Sequence, residues 1–170
     1  SLDGKGESCR FVGRVIDVHG EPIEVACVDV WFDNSDGFSD VQQADVQPRL
    51  NNRGRCMTKS DGAYDLVGIK PVSYPIPDDG PVGQMLEKLG RHPYRPAHLH
   101  YILEADGYET LITHIFDPDD PYIHSDAVFG VKESLLAKFE LIEDVDKIAA
   151  AGFDRPYYEV VHDFVLAPKA

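Results

Sequence analysis

The chain has 170 residues, enough for one domain, since domains run to about 100–200 residues. Its 16 Lys and Arg face 30 Asp and Glu, and the resulting charge of −14 repels phosphate backbones and anionic lipid, which argues against nucleic-acid and membrane-surface partners. With 12 prolines and 14 glycines the chain is loop-rich, which argues against a helical bundle.

The elements read as follows. Residues 10–18 alternate and are rich in β-branched types, His19 to Pro22 turn, and residues 25–32 form a second strand. Asp33 to Asn52 has no sustained period and reads as a long functional loop. Residues 55–58 and 63–67 flank Lys59-Ser60-Asp61-Gly62, a hairpin signal. Four prolines between Pro71 and Pro81 make that stretch loop. Val82 to Leu89 is apolar at helical spacing, with Gly90 able to end the helix. His98–Ala105 and Thr110–Phe116 alternate as strands, Ser134–Leu141 is strand or short helix, Asp144–Ala151 is a second helix, and Tyr157–Leu166 is the closing strand. The expected fold is mainly β: an antiparallel β-sandwich of about seven to nine strands, with long functional loops and one or two short helices, in a single domain spanning 1–170. Cys9, Cys27 and Cys56 are odd in number and lack zinc-type spacing, so they read as free thiols. No apolar run reaches the ~20 residues of a membrane span and no leader opens the chain, so a cytoplasmic location is expected.

Chemistry concentrates in Arg91-His92-Pro93-Tyr94-Arg95-Pro96-Ala97-His98-Leu99-His100. On a strand, residues two apart share a face, so His98 and His100 converge on one point. They are either two metal ligands or two histidines on a polar sheet face. Tyr74, held between Ser73 and Pro75 in a proline-rich loop, is either a hard anionic donor that favours ferric iron or a half-buried edge residue. Met57 and Met85 read as core fillers, and Asp117 to Asp120 as a solvated acidic loop. His92 reads as a pocket residue or a bystander.

Three runs resemble the intradiol ring-cleavage dioxygenases, in particular the branch that cleaves hydroxyquinol: Lys70 to Gly83, Gly90 to His100, and Asp126 to Lys132. The resemblance covers roughly Arg10 to Leu166. It implies Fe(III) as cofactor, with an aromatic diol and O2 as partners and a ring-opened dicarboxylate as product. It implies Tyr74, His98 and His100 as metal ligands. Tyr74 also acts as a base, Arg95 stabilises developing negative charge, and His114 lies near the ring-attack site. Ala127, Val128, Pro75 and Ile76 are implied as substrate-binding residues. One departure stands out: the position of the family's second tyrosine ligand falls on Ser39, in Asp36-Gly37-Phe38-Ser39-Asp40. One phenolate fewer leaves a positive charge on a ferric site uncompensated, and water or a carboxylate such as Asp40 remains to fill the place. Ser39 therefore keeps open a non-oxidative lyase or cyclase reaction on a phenolic metabolite, and a non-catalytic β-sandwich binding module. The chain begins near the first strand, so the family's N-terminal helical region, with its dimer contact and pocket wall, is expected to be missing. A homodimer stays an open expectation.

Overall fold

The structure is a computed structural model that describes residues 1–169; Ala170, the last residue of the expected domain, lies outside them. In chain order the strands are β1 (Ser8–Asp17), β2 (Cys27–Trp31), β3 (Arg53–Met57), β4 (Ala63–Ile69), β5 (Tyr74–Pro75), β6 (Tyr94–Arg95), β7 (His98–Glu104), β8 (Leu111–Phe116), β9 (Glu140–Ile142), β10 (Tyr157–Val161) and β11 (Phe164–Leu166). Helix α1 (Pro81–Lys88) lies between β5 and β6, and α2 (Val145–Ala150) between β9 and β10. One sheet is built on β1. It pairs antiparallel with β4 on one edge and parallel with β10 and then β11 on the other, and β9 extends β10. The second sheet is antiparallel in the order β3-β2-β7-β8.

The inner faces of the two sheets meet in one apolar core. Phe11 of β1 meets Phe32 edge to face at 5.5 Å between centroids, and Tyr101 of β7 packs on Phe164 at 4.8 Å. Val28, Leu99 and Leu103 are fully buried, each contributing about 1.5–3 kcal/mol relative to exposure.

The strand count exceeds the seven to nine expected for two reasons. The two-residue ladder of β5 and β6 is too short to show a period. The closing strand also breaks at His162-Asp163, although its alternation continues through the break. There the His162 carbonyl turns onto Gly13, where any Cβ would come within 1.8 Å of it, and the Tyr64 hydroxyl donates to the same carbonyl at 2.7 Å.

The Lys59–Gly62 turn forms, with Lys59 N–H donating to Ala63 O at 3.0 Å. It does not join a hairpin, because β3 pairs with β2 and β4 with β1. The turn carries the chain from one sheet to the other. Both helices lie where the periodicity puts them, and the Asp144 carboxylate caps α2 by accepting from Asp146 N and Lys147 N. Ser134–Leu141 resolves into a 3-10 turn, Glu133–Leu135, leading into β9.

Met57 and Met85 are not core fillers; they are 51% and 54% exposed. The acidic loop is not simply solvated either. Asp117 is buried and pairs with Lys70 at 2.9 Å, and Asp120 accepts the Ala97 N–H at 3.0 Å, which anchors the start of β7. Among the described residues no helix is long and apolar enough to cross a membrane.

Candidate metal centre

Alternation along β7 sends Leu99, Tyr101 and Leu103 into the core and His98 and His100 to the opposite face. Antiparallel pairing then sets His114 of β8 directly across from His100 and Phe116 across from His98. On the other side of His100, Trp31 of β2 is its register partner, and the indole stacks on the imidazole at 4.9 Å and 6°. The β5–β6 ladder pairs Tyr74 with Arg95 and delivers both to the same place.

Three groups crowd His98 Nε2, each at 3.1 Å: the Tyr74 hydroxyl, Arg95 Nη1 and His100 Nε2. His98 Nδ1 donates to the Pro96 carbonyl at 2.7 Å, which leaves Nε2 as an acceptor with a single lone pair. Burial, with Arg95 and His100 adding to it, pushes the His98 imidazole down to about 2. Burial and His114 push His100 down to about 3. Both rings are therefore neutral, the form that ligates metals. Burial, and after it the charge of Asp33, push the Tyr74 hydroxyl above its ordinary value. Ligand atoms of His98, His100 and His114 all lie within 4.8 Å of one another. Two imidazole nitrogens and a phenol oxygen thus meet at one point. A transition-metal cation accepts lone pairs from all of them, so the donor set fits a metal, and the phenol oxygen favours a ferric one.

Arg95 is buried and held by Asp126, with Nε at 3.2 Å from Oδ1. Asp126 also accepts from Gly130 N at 2.7 Å and Val128 N at 3.3 Å, so one carboxylate fixes both the guanidinium and the loop beside it. On that loop Ala127 is buried, its N–H donating to Tyr94 O at 3.0 Å, while Val128 and Phe129 are 45% and 75% exposed and form an apolar rim. Pro75 and Ile76 continue from Tyr74; Pro75 pairs with Tyr94 and Ile76 N donates to Pro93 O. His92 ties the same loops together, its Nε2 lying 2.8 Å from Ser125 Oγ and its Nδ1 accepting from Tyr94 N.

The structure thus brings together Tyr74, Arg95, His98, His100 and His114, and it does not bring Ser39 to them. The Ser39 hydroxyl and N–H both go to Gln42 Oε1 inside its own loop, at 3.0 and 2.9 Å. Asp40 is no substitute: its carboxylate accepts from Leu50 N at 2.8 Å and pairs with Arg53 at 3.2 Å. The sequence reading passed over Asp126 and Trp31, whose parts depend on contacts across 31 and 69 residues. It also passed over Asp33. A cleft of about 650 Å³ lies at the far end of β7, lined by Pro22, Glu24, Glu104, Asp106 and Thr110 among others. No histidine lines it, and the chemistry stays at the histidine end.

Comparison with known proteins gives the family. A family model described as Dioxygenase matches residues 2–168. A hydroxyquinol 1,2-dioxygenase of Rhizobium sp. is 59% identical over 98% of this chain and 57% of its own length. The solved structure of a hydroxyquinol 1,2-dioxygenase from Pseudomonas putida superposes with a TM-score of 0.89 at 44% identity, over 97% of this chain and 58% of that one. A catechol 1,2-dioxygenase from Acinetobacter gives 0.93 at 33% identity, over 99% and 55%. The chain belongs to the intradiol ring-cleavage dioxygenase family, and it spans just over half the length of these relatives.

Proposed function

We propose that residues 1–170 act as a single catalytic domain, a non-haem Fe(III) dioxygenase that opens the ring of hydroxyquinol or a related catecholic diol with O2 to give a dicarboxylate. The observation that carries this reading is the convergence of the Tyr74 hydroxyl and His100 Nε2 on His98 Nε2, each at 3.1 Å, with the Asp126-held Arg95 beside them. Relatives named hydroxyquinol 1,2-dioxygenase at 59% and 44% identity supply the substrate class.

Tyr74, His98 and His100 would hold the iron. Bound there, Fe(III) lowers the pKa of oxygen ligands and draws electron density from a chelating diol. Tyr74 would take a proton from the diol at its phenolate oxygen. Arg95 places a fixed positive charge beside the ring, a contribution of about 3–4 kcal/mol for a well-aimed donor. His114, with its ring centroid 4.5 Å from that of His100, adds a second neutral polar group. Pro75, Ile76, Ala127 and Val128 border the ring. The net charge of −14 disfavours anionic ring acids at long range and leaves a neutral polyphenol as the better substrate. A homodimer and a cytoplasmic setting belong to the same proposal, and the homodimer rests on the resemblance alone.

The test is direct. Iron-loaded protein mixed with hydroxyquinol should consume oxygen and release a ring-opened acid. Full iron occupancy without oxygen uptake on any diol would defeat the reading and favour non-oxidative chemistry.

A further inference from the structure

The centre described above has one anionic oxygen donor, Tyr74, and the serine at position 39 gives its hydroxyl to Gln42. A ferric ion held by one phenolate and neutral imidazoles is short of negative charge. The molecule holds a carboxylate just beyond the strand that flanks the site. The β2–β7 ladder ends at Trp31 opposite His100. Continuing that antiparallel register by two residues sets position 33 opposite His98. Phe32 turns its ring inward onto Phe11, at 5.5 Å, so the next side chain emerges on the face that carries His98 and His100.

We infer that Asp33 supplies the anionic oxygen donor that completes this centre, in the place that Ser39 leaves open. This rests on the ferric reading of the site.

Independent features support it. Asp33 is partly buried, yet among the described residues no hydrogen bond or ion pair engages its carboxylate; only its main-chain carbonyl is used, by Asn52 Nδ2 at 3.3 Å. Partly buried carboxylates are ordinarily paired, and this one is free; its oxygens lie outside the 4.8 Å cluster of the three histidines, so ligation takes a turn of its side chain. Burial pushes the Asp33 carboxyl up to about 6 against the opposing pull of Arg53, and its charge is felt at the Tyr74 hydroxyl. The backbone also holds Asp33 in position. The loop doubles back after it, with Asn34 N donating to Phe38 O at 2.9 Å. Gly37 then passes so close to Tyr74, at φ +80°, that a Cβ would lie 2.9 Å from the tyrosine Cβ. The other candidates do not serve. Asp40 is consumed by Leu50 and Arg53, and His114 is a neutral donor that cannot supply the missing charge.

The experiment is competition for Fe(III) against a soluble chelator, with wild type, Asp33→Asn, Asp33→Glu, His114→Gln and Asp36→Asn compared and folding checked by circular dichroism. Asp33→Asn should weaken Fe(III) by about 100-fold or more, beyond the ~10–100-fold typical of a residue that only orients a ligand. Asp33→Glu should recover most of the loss. Asp36→Asn removes the same charge from an exposed position in the same loop and should stay within about twofold. A second measurement needs no variant: in wild type with ¹³C-labelled aspartate carboxyls, diamagnetic Ga(III) should move the Asp33 resonance. Wild type that holds no Fe(III) would defeat the ferric reading and this inference with it. Wild type that holds Fe(III), with Asp33→Asn equal to it or with the Asp33 resonance unmoved by Ga(III), would overturn the inference alone. So would a large loss in His114→Gln with none in Asp33→Asn.

Discussion

The Arg95–Asp126 pair carries a quantitative consequence for folding. Its side chains are 9% and 3% exposed and meet at 3.2 Å. Replacing the carboxylate by the isosteric amide in Asp126→Asn leaves a buried guanidinium without its counter-charge, which costs about 3–5 kcal/mol. It also sets an amide NH₂ against one of the two backbone donors that Asp126 now accepts, from Gly130 and Val128. For a chain of this length about 2–4 °C of Tm is lost per kcal/mol, so the variant should melt roughly 6–20 °C below wild type. Arg95→Met should be destabilising as well. The double variant should cost less than the sum of the two, because the second change removes the charge that the first left unpaired. Urea unfolding of the metal-free protein at neutral pH measures all three. A cost below about 1 kcal/mol for Asp126→Asn, or additivity within about 0.5 kcal/mol, would refute the view that this pair is a closed electrostatic unit.

Other consequences follow from single side chains. Tyr74→Phe should abolish the visible phenolate-to-Fe(III) absorption, since Tyr74 is the only phenolate placed at the centre among the described residues; persistence of the band would remove Tyr74 from the ligand set. Ser39→Tyr should add a second such band, and an unchanged spectrum would show that position 39 does not reach the metal. Burial pushes the fully buried Cys9 thiol well up, so alkylation at pH 8 should spare Cys9 until denaturant is added; labelling of the native protein there would contradict its packing. Burial also holds the His162 imidazole below its ordinary value, so below about pH 6.5 the unfolded chain takes a proton that the folded one refuses. Stability is then lost as pH falls through that window, and His162→Gln should remove part of this slope. Parallel stability curves for the two proteins would count against it.

Strands that alternate between core and solvent were legible because period two is a local property of the chain. Pairing was not. The Asp-Gly turn at Asp61-Gly62 has the chemistry of a hairpin, yet its flanking strands belong to different sheets, and only packing between the sheets decides that. The division between β10 and β11 is equally hidden. It depends on Gly13 leaving room for the His162 carbonyl, a contact between residues 149 positions apart. Exposure of Met85 could not be read either, because helical spacing says which residues share a face and not what covers that face.

The centre divides along the same line. His98 and His100 lie two apart on one strand, and Tyr74 and Arg95 sit in motifs whose resemblance to a known family carried their roles. All four appear together in the structure. Part of what surrounds them became visible only with register: Trp31 stacks on His100 because β2 pairs with β7 there, while β8 sets His114, which the resemblance had already named, on the other side. Register also changes how the serine at 39 should be read. As a sequence feature it is a lost ligand. Once β2 is laid against β7, the same segment presents Asp33 two positions beyond Trp31, on the face of the histidines. The loss and the candidate replacement lie six residues apart in one loop, so the charge of the site can be restored without moving any strand.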